Sequence, residues 1–302
     1  MKTSKTKNRN CPVCSGSKTK YLGVVNKTNI VRCTNCSMVF ADVANSEIDE
    51  KNIYSEDSFF KYIQNEPIYS LAFYDLVLLK IQKHFKNKKI KILEFGCGPG
   101  LFLRRAKLMN IEAFGCDFSP YSKLANKYFN LNITIDNIFN AGFKNNEFDV
   151  VITHATHEHL GNMYGISKKL YELLKPDGIF IISGVPNYNT IPIKTFNNFT
   201  NNQPPSHVNY FEKKSLIYLY KKLKLNTISI KTYGVSAWSW QLIIKLKKIF
   251  SKSKQVKIRK TNFNKEKIKE EKITTLHKII VFIYIYFHIP KMGRNIEIWG
   301  IK

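Results

Sequence analysis

The chain has 302 residues, 44% of them hydrophobic, enough to bury a sizeable core in one large unit or two smaller ones. Its formal net charge is +26, yet only six of the 48 cationic residues are arginine. A lysine excess beside abundant Asn and Ile reflects coding bias as readily as selection for charge, and the bidentate forks with which proteins read phosphates and bases are scarce, so charge alone does not establish a nucleic-acid partner. No apolar stretch reaches the ~18 residues of a membrane span, and no apolar core follows the polar, basic first ten residues, so the expected residence is cytoplasmic.

Residues 1–10 read as a disordered basic tail. Cys11-Pro12-Val13-Cys14 and Cys33-Thr34-Asn35-Cys36 are then two C-x-x-C pairs separated by 18 residues. Each suits a tight knuckle with two thiolates turned on one ion, and two knuckles make a closed tetrahedral zinc site. Where thiols stay reduced, metal is the natural account. With Cys11, Cys14, Cys33 and Cys36 all used, no position stays open, so the Zn²⁺ is expected to be structural. Strand-like stretches at 21–25 and 30–32 complete a ribbon over 11–40. A polar connector spotted with aromatics covers 41–65, and apolar residues at three- and four-residue steps predict a helix around 66–86.

From 90 onward strands and helices alternate. Strands are predicted at 90–95, 111–116, 131–135, 148–153, 178–184 and 227–233, and helices at 101–109, 120–129, 162–174 and 212–223. Ile296–Ile301 closes the chain as a short strand. Such alternation implies a mainly parallel sheet. Between the last two strands, 236–292 is an unusual insertion. It holds a basic amphipathic run (Leu242–Phe250), a charged run (251–272) and the apolar Ile279–Phe287. Nine apolar residues cannot cross a bilayer. The stretch reads as an element buried on the sheet, as a surface for peripheral membrane contact or a lipid-linked substrate, or as a dimer contact.

The most informative segment is Ile92-Leu93-Glu94-Phe95-Gly96-Cys97-Gly98-Pro99-Gly100. A strand ends on an acid, three glycines follow at alternate positions, and a helical pattern starts at once. Glycine lets the backbone bend hard and a ligand lie against it. A strand–loop–helix of this kind suits a nucleotide-type ligand in a doubly wound sheet. The missing Lys-Ser/Thr and the neighbouring acid disfavour a phosphate cradle.

On these residues the segment resembles the first motif of class I S-adenosylmethionine-dependent methyltransferases. Ile111–Pro120 resembles that family's second strand, Phe148–Thr153 its fourth, and Leu173–Ile182 the turn into its fifth. The resemblance spans roughly 66–235, with 293–302 as the final strand. It implies an α/β fold, a doubly wound seven-stranded mainly parallel sheet, preceded here by a small zinc ribbon. It also implies S-adenosylmethionine held by Glu94, Gly96, Gly98 and Gly100, with Asp117 on the ribose hydroxyls and Phe118 beside it. The adenine falls to Asp136 or Asn137, which the residues do not separate, and Ile138.

After the fourth strand comes Thr153-His154-Ala155-Thr156-His157-Glu158-His159-Leu160. Glu158-His159 resembles a pair common in small-molecule members, whereas His157 stands where an apolar residue is usual. Imidazole and carboxylate are metal ligands, but H-x-x-H-E-H is no recognised zinc spacing. A general base at His159 is the stronger reading, with His154 beside the cofactor. A second base or substrate ligand is His207, within Gln203–Phe211 on a long loop that begins at Pro186-Asn187. Tyr188, Phe196 and Phe199 are candidate walls of an acceptor pocket. The expected function is methyl transfer to a small or glycan-type acceptor, such as a nucleotide sugar or a surface-polysaccharide precursor. An RNA methyltransferase, with the ribbon and lysines on phosphate, and a non-catalytic binding module at a membrane are the alternatives.

Overall fold

The computed structural model describes residues 9–43, 56–65, 68–189, 203–234 and 293–302. The insertion at 236–292, with its amphipathic and apolar runs, and the aromatics Phe196 and Phe199 lie outside them. Two sheets organise the rest. The larger has seven strands: β4 (Lys91–Phe95), β5 (Glu112–Cys116), β6 (Asn132–Thr134), β7 (Phe148–His154), β8 (Leu174–Pro186), β10 (Asn226–Tyr233) and β11 (Asn295–Ile301). Their spatial order is β10-β11-β8-β7-β4-β5-β6. The pairs joining β5 to β6, β4 to β5 and β7, and β7 to β8 are parallel, while β11 enters antiparallel between β8 and β10. This is the predicted doubly wound sheet with its last strand beside the fifth.

Helices α2 (Ile68–His84), α3 (Leu101–Leu108), α4 (Pro120–Phe129), α5 (Met163–Leu173) and α6 (Lys213–Lys222) flank the sheet. The central strands read as near-continuous apolar runs because both faces are covered. Ile92 and Val150 meet Leu78, Phe102 and Ala106 on one side, while Leu93 and Val151 meet Leu170, Leu219 and Tyr220 on the other. At the α2–α3 contact Arg105 Nε and Nη2 donate to the two oxygens of Asp75 at 2.7 and 2.9 Å.

The smaller sheet departs from the expected ribbon in two respects. It contains β1 (Thr19–Val25), β2 (Thr28–Cys33) and β3 (Val39–Ala41), but its fourth strand, β9 (Asn209–Tyr210), comes from the far end of the long loop. Its base also begins earlier than Cys11. Arg9, assigned by sequence to the tail, is buried, its backbone N–H donating to Asp42 Oδ1 and its guanidinium to Val208 O and Asn209 Oδ1. A second correction concerns the connector, of which 56–65 forms helix α1 (Glu56–Asn65). Phe59 and Phe60 are buried there against Tyr121, Tyr128 and Phe129 of α4. Aromatic contacts with a helix distant in sequence stabilise α1, and a short, largely polar segment gives no periodic signal of them.

Among the described residues no helix is long and apolar enough to cross a membrane. Removing one partner from a buried ion pair strands the other charge, at about 3–5 kcal/mol. Arg105→Ala should therefore lower unfolding free energy by about that amount in a urea titration, and an unchanged midpoint would show that the α2–α3 pair contributes nothing net.

Candidate active site

In an open parallel sheet the ligand site lies beyond the carboxyl ends of the strands. Three consecutive strand ends build one half of it here. After β4 the backbone bends through Gly96, Gly98 and Gly100, at φ of 73°, 47° and 71°. The three glycines serve different ends. A methyl group on Gly96 would fall 2.4 Å from Thr156 Cγ2, and one on Gly100 would fall 2.6 Å from Leu131 Cδ1, so both are packing requirements. A methyl on Gly98 would meet nothing within 4 Å, which leaves that face of the loop open for something else.

Opposite stands Asp117, at the end of β5 and 8% exposed. Its Oδ2 accepts from Gly98 N–H at 2.7 Å and its Oδ1 from Ser119 N–H at 2.6 Å. Both oxygens are thereby fixed in place while each keeps accepting capacity. Glu94 lies buried below the loop, with Oε2 meeting no hydrogen-bond donor. Burial, with Asp117 nearby, holds its carboxyl well above the usual carboxylate range. A cationic or donating group settling there would relieve both effects.

Phe118 projects into solvent, 65% exposed. Ile135 and Phe139, on the loop after the adjacent β6, are also exposed. The sequence reading passed over both, although the step from a buried strand to exposed apolar residues at its tip is a legible signal. Of the two polar candidates on that loop, Asn137 turns Oδ1 back onto the N–H groups of Phe139 and Asn140. The Asp136 carboxylate accepts from its neighbour, Asn137 N–H, at Oδ1. Ile138 is buried beneath.

The histidine-rich turn after β7 separates into residues of different kinds. His157 is fully buried, with Nδ1 2.9 Å from Thr153 Oγ1 and Nε2 3.1 Å from Ser167 Oγ. Both nitrogens are satisfied, which explains how imidazole replaces an apolar residue. His154 packs against the rings of Phe73 and Tyr74 on α2, with Nδ1 buried and unpartnered. His159 points the other way and meets His207, ring centroids 4.6 Å apart. The two base candidates, 48 positions apart in sequence, thus occupy one place. Glu158 joins them: a carboxylate oxygen and one nitrogen from each ring lie within 4.8 Å of one another.

That meeting is held by backbone. Glu158 O accepts from Val208 and Asn209 N–H, and the Asn209 side-chain amide donates to both His157 O and Leu160 O. His159 Nδ1 lies 2.7 Å from Ser206 O, a pairing in which the ring must donate. Tyr210 hydroxyl closes the segment on His207 O at 2.7 Å.

Beyond the ends of β8 and β10 opens a cavity of about 740 Å³, lined by Asn187, Asn189, Lys213, Lys214 and Glu212 and by Arg32 from the small sheet. Arg32 pairs with Glu212 at 2.7 Å and lies over the Tyr188 ring. The four cysteine sulfurs form a separate cluster within 4.8 Å, with Cys11 3.4 Å from Cys36 and Cys14 3.4 Å from Cys33. Sulfurs around one zinc sit about 3.8 Å apart, given Zn–S of about 2.3 Å, so the cluster fits that ion. Cys97 and Cys116 are buried and apart from it.

Residues 93–182 match the family described as methyltransferase domain. Among solved structures, the chain is similar to a phosphoethanolamine N-methyltransferase of Haemonchus contortus in complex with S-adenosyl-L-methionine, with 16% identity over 85% of this chain and 59% of that one and a TM-score of 0.53. A SAM-dependent methyltransferase of Archaeoglobus fulgidus is 17% identical over 76% of this chain and 94% of that one, with a TM-score of 0.49. No curated protein matches by sequence. The chain thus has the class I methyltransferase fold, with residues 93–182 matching the methyltransferase-domain family.

Burial carries the pKa of His157 down to about 3 and that of His154 down to about 4, while burial and then His159 bring His207 to about 4. Each is neutral when folded and takes a proton below about pH 6.5 when unfolded. Their contribution is full above that value and is lost as pH falls toward 4, by up to about 1.4 kcal/mol per unit per histidine. Glu94, shifted upward, opposes part of the loss. Urea midpoints should fall across this window, and His157→Gln should flatten the slope; parallel slopes would contradict the assignment.

Proposed function

We propose that this chain transfers a methyl group from S-adenosylmethionine to a small anionic acceptor of glycan type, such as a nucleotide sugar. The observation carrying the cofactor reading is the open face of Gly98 set against a fixed Asp117 and an unsatisfied buried oxygen of Glu94. The cofactor brings a methyl group on a sulfonium, an electrophile that needs no further activation. Asp117 suits a vicinal diol, since a carboxylate accepts two hydrogen bonds. Phe118, Ile135 and Phe139 offer apolar surface to a flat base, with Asp136 better placed than Asn137 to take an amine. Glu94 and the loop backbone suit the charged end.

With the electrophile ready-made, the protein's part is positioning and exclusion of water. The acceptor falls to the His159–His207 side. His159, held through Nδ1 on Ser206 O, suits removal of a proton from an acceptor hydroxyl, while His207 stays neutral beside it. The cavity beyond β8 and β10, with Arg32, Lys213 and Lys214 at its wall beside Glu212, suits phosphate groups on the acceptor. The cysteine cluster takes a structural zinc ion, which stiffens the sheet that supplies Arg32 and receives β9.

Calorimetry with S-adenosylmethionine tests the cofactor site. Gly98→Val should abolish the binding heat, and Asp117→Ala should weaken affinity by about 1.5–3 kcal/mol, roughly 10- to 150-fold. Native affinity in either variant would refute the site. Labelled methyl should then appear in nucleotide sugars or lipid-linked sugars; label confined to RNA would refute the acceptor class.

Cys14→Ser tests the zinc. Elemental analysis should show one equivalent fewer than in the parent protein, with turnover falling because β3 supports β9. Unchanged metal content would refute the thiolate site.

A further inference from the structure

We propose that Glu158, His159 and His207 form a second metal site, which holds a divalent transition-metal ion of the zinc or iron class at the acceptor side of the cleft. It rests on the reading above only for the acceptor's position. The donors converge already. One nitrogen from each ring and one carboxylate oxygen lie within 4.8 Å, and ligand atoms on a common zinc ion lie about 3–4 Å apart, so small side-chain rotations close the site.

The supporting shell is of the kind metal sites use. A ligating histidine ordinarily donates its other ring N–H to a carboxylate or a backbone carbonyl, which fixes the tautomer and aims the free lone pair. His159 does this through Nδ1 to Ser206 O. His207 has a buried Nδ1 that meets no partner, and its carbonyl is pinned by Tyr210 hydroxyl. Glu158 is 2% exposed, and its backbone carbonyl is clamped by two N–H groups of the segment that carries His207. Ligand spacing in sequence conceals the set, because two donors are adjacent and the third arrives 48 residues later.

Two imidazoles and a carboxylate favour zinc, iron or manganese over calcium or magnesium, which prefer all-oxygen sets. Three protein ligands leave at least one position open. With an ion present, His159 Nε2 binds the ion instead of a proton, and the open position takes an acceptor oxygen. The other two histidines of the turn are excluded. His157 is saturated by Thr153 and Ser167, and His154 faces α2.

The test uses the full chain with its cysteine site already loaded and weakly held ions stripped. Zn²⁺ is titrated calorimetrically, and Co²⁺ is followed in the visible spectrum. The expected result is one further saturable ion per chain, with Co²⁺ bands that lack thiolate charge transfer. His207→Ala and Glu158→Gln should each weaken this event at least about 100-fold, the upper end of what losing even an orienting partner costs. S-adenosylmethionine heat and the cysteine-site ion should be unchanged in both variants. A parent protein that takes no second ion, or variants that bind it undiminished, would overturn the site; the parent titration alone decides if a variant does not fold. If the ion site fails in either way, S-adenosylmethionine heat in the same ion-free protein leaves the methyltransferase reading standing.

Discussion

The hydrogen bond from Gly98 N–H to Asp117 Oδ2, at 2.7 Å, is the constraint from which the cofactor half of the cleft follows. It ties the loop after β4 to the end of β5 and fixes a carboxylate that is almost wholly out of water. An ionised group so placed is tolerated only when hydrogen-bonded, and two backbone N–H groups meet that condition. A side chain at position 98 would have to adopt a left-handed backbone and would occupy the space in front of the acid. Glu94 lies beneath with no such donors on Oε2, and burial, with the nearby Asp117, raises its pKa. One acid is thus held by the fold, while the other waits for a donor from outside it.

The small sheet is part of the second half of the cleft. Val39 pairs with Tyr210 and Phe40 with Asn209, so β3 continues directly into the segment bearing His207. Arg9 reaches the same segment from below, and its guanidinium lies over Phe40. Cys11, Cys33 and Cys36 share one apolar cluster with Leu216 and Leu219 of α6. The four-cysteine cluster is thus linked to the His207 segment through backbone pairing of β3 with β9. The chain therefore fastens the segment bearing His207 to a strand, β3, that lies about 170 residues earlier in sequence.

What could be read from sequence divides along the same line. The glycine loop, Asp117 and the alternating elements are local patterns whose meaning depends on a few neighbours, and the sheet order follows them. Helix α1 gave no signal because Phe59 and Phe60 are anchored by α4, which lies 60 residues on. Strand β9 is two residues long and exists only through β3. Between Asp136 and Asn137 the sequence offered no choice; a turn closed on Asn137 Oδ1 separates them. Of the three histidines of 154–159, the sequence pointed to His159 as a base and set His154 beside the cofactor; the structure shows His157 as a satisfied core residue, His154 packed on aromatic rings and His159 against His207.

His159 and His207 show why the acceptor half resists sequence reading even when each residue is singled out. Weighed separately, each is one imidazole with several roles open to it. Their meaning lies in the 4.6 Å between their rings and in Glu158 beside them. That geometry is created by Asn209, which bonds to both ends of the histidine turn and also sits in β9. A polar residue of this kind, fully buried with its amide donating twice, specifies a junction between segments instead of adding to a core. The meeting of Glu158, His159 and His207 is therefore set by how a loop returns to the sheet. Chains that share the glycine loop and the seven strands can differ in acceptor with little change in the fold they have in common.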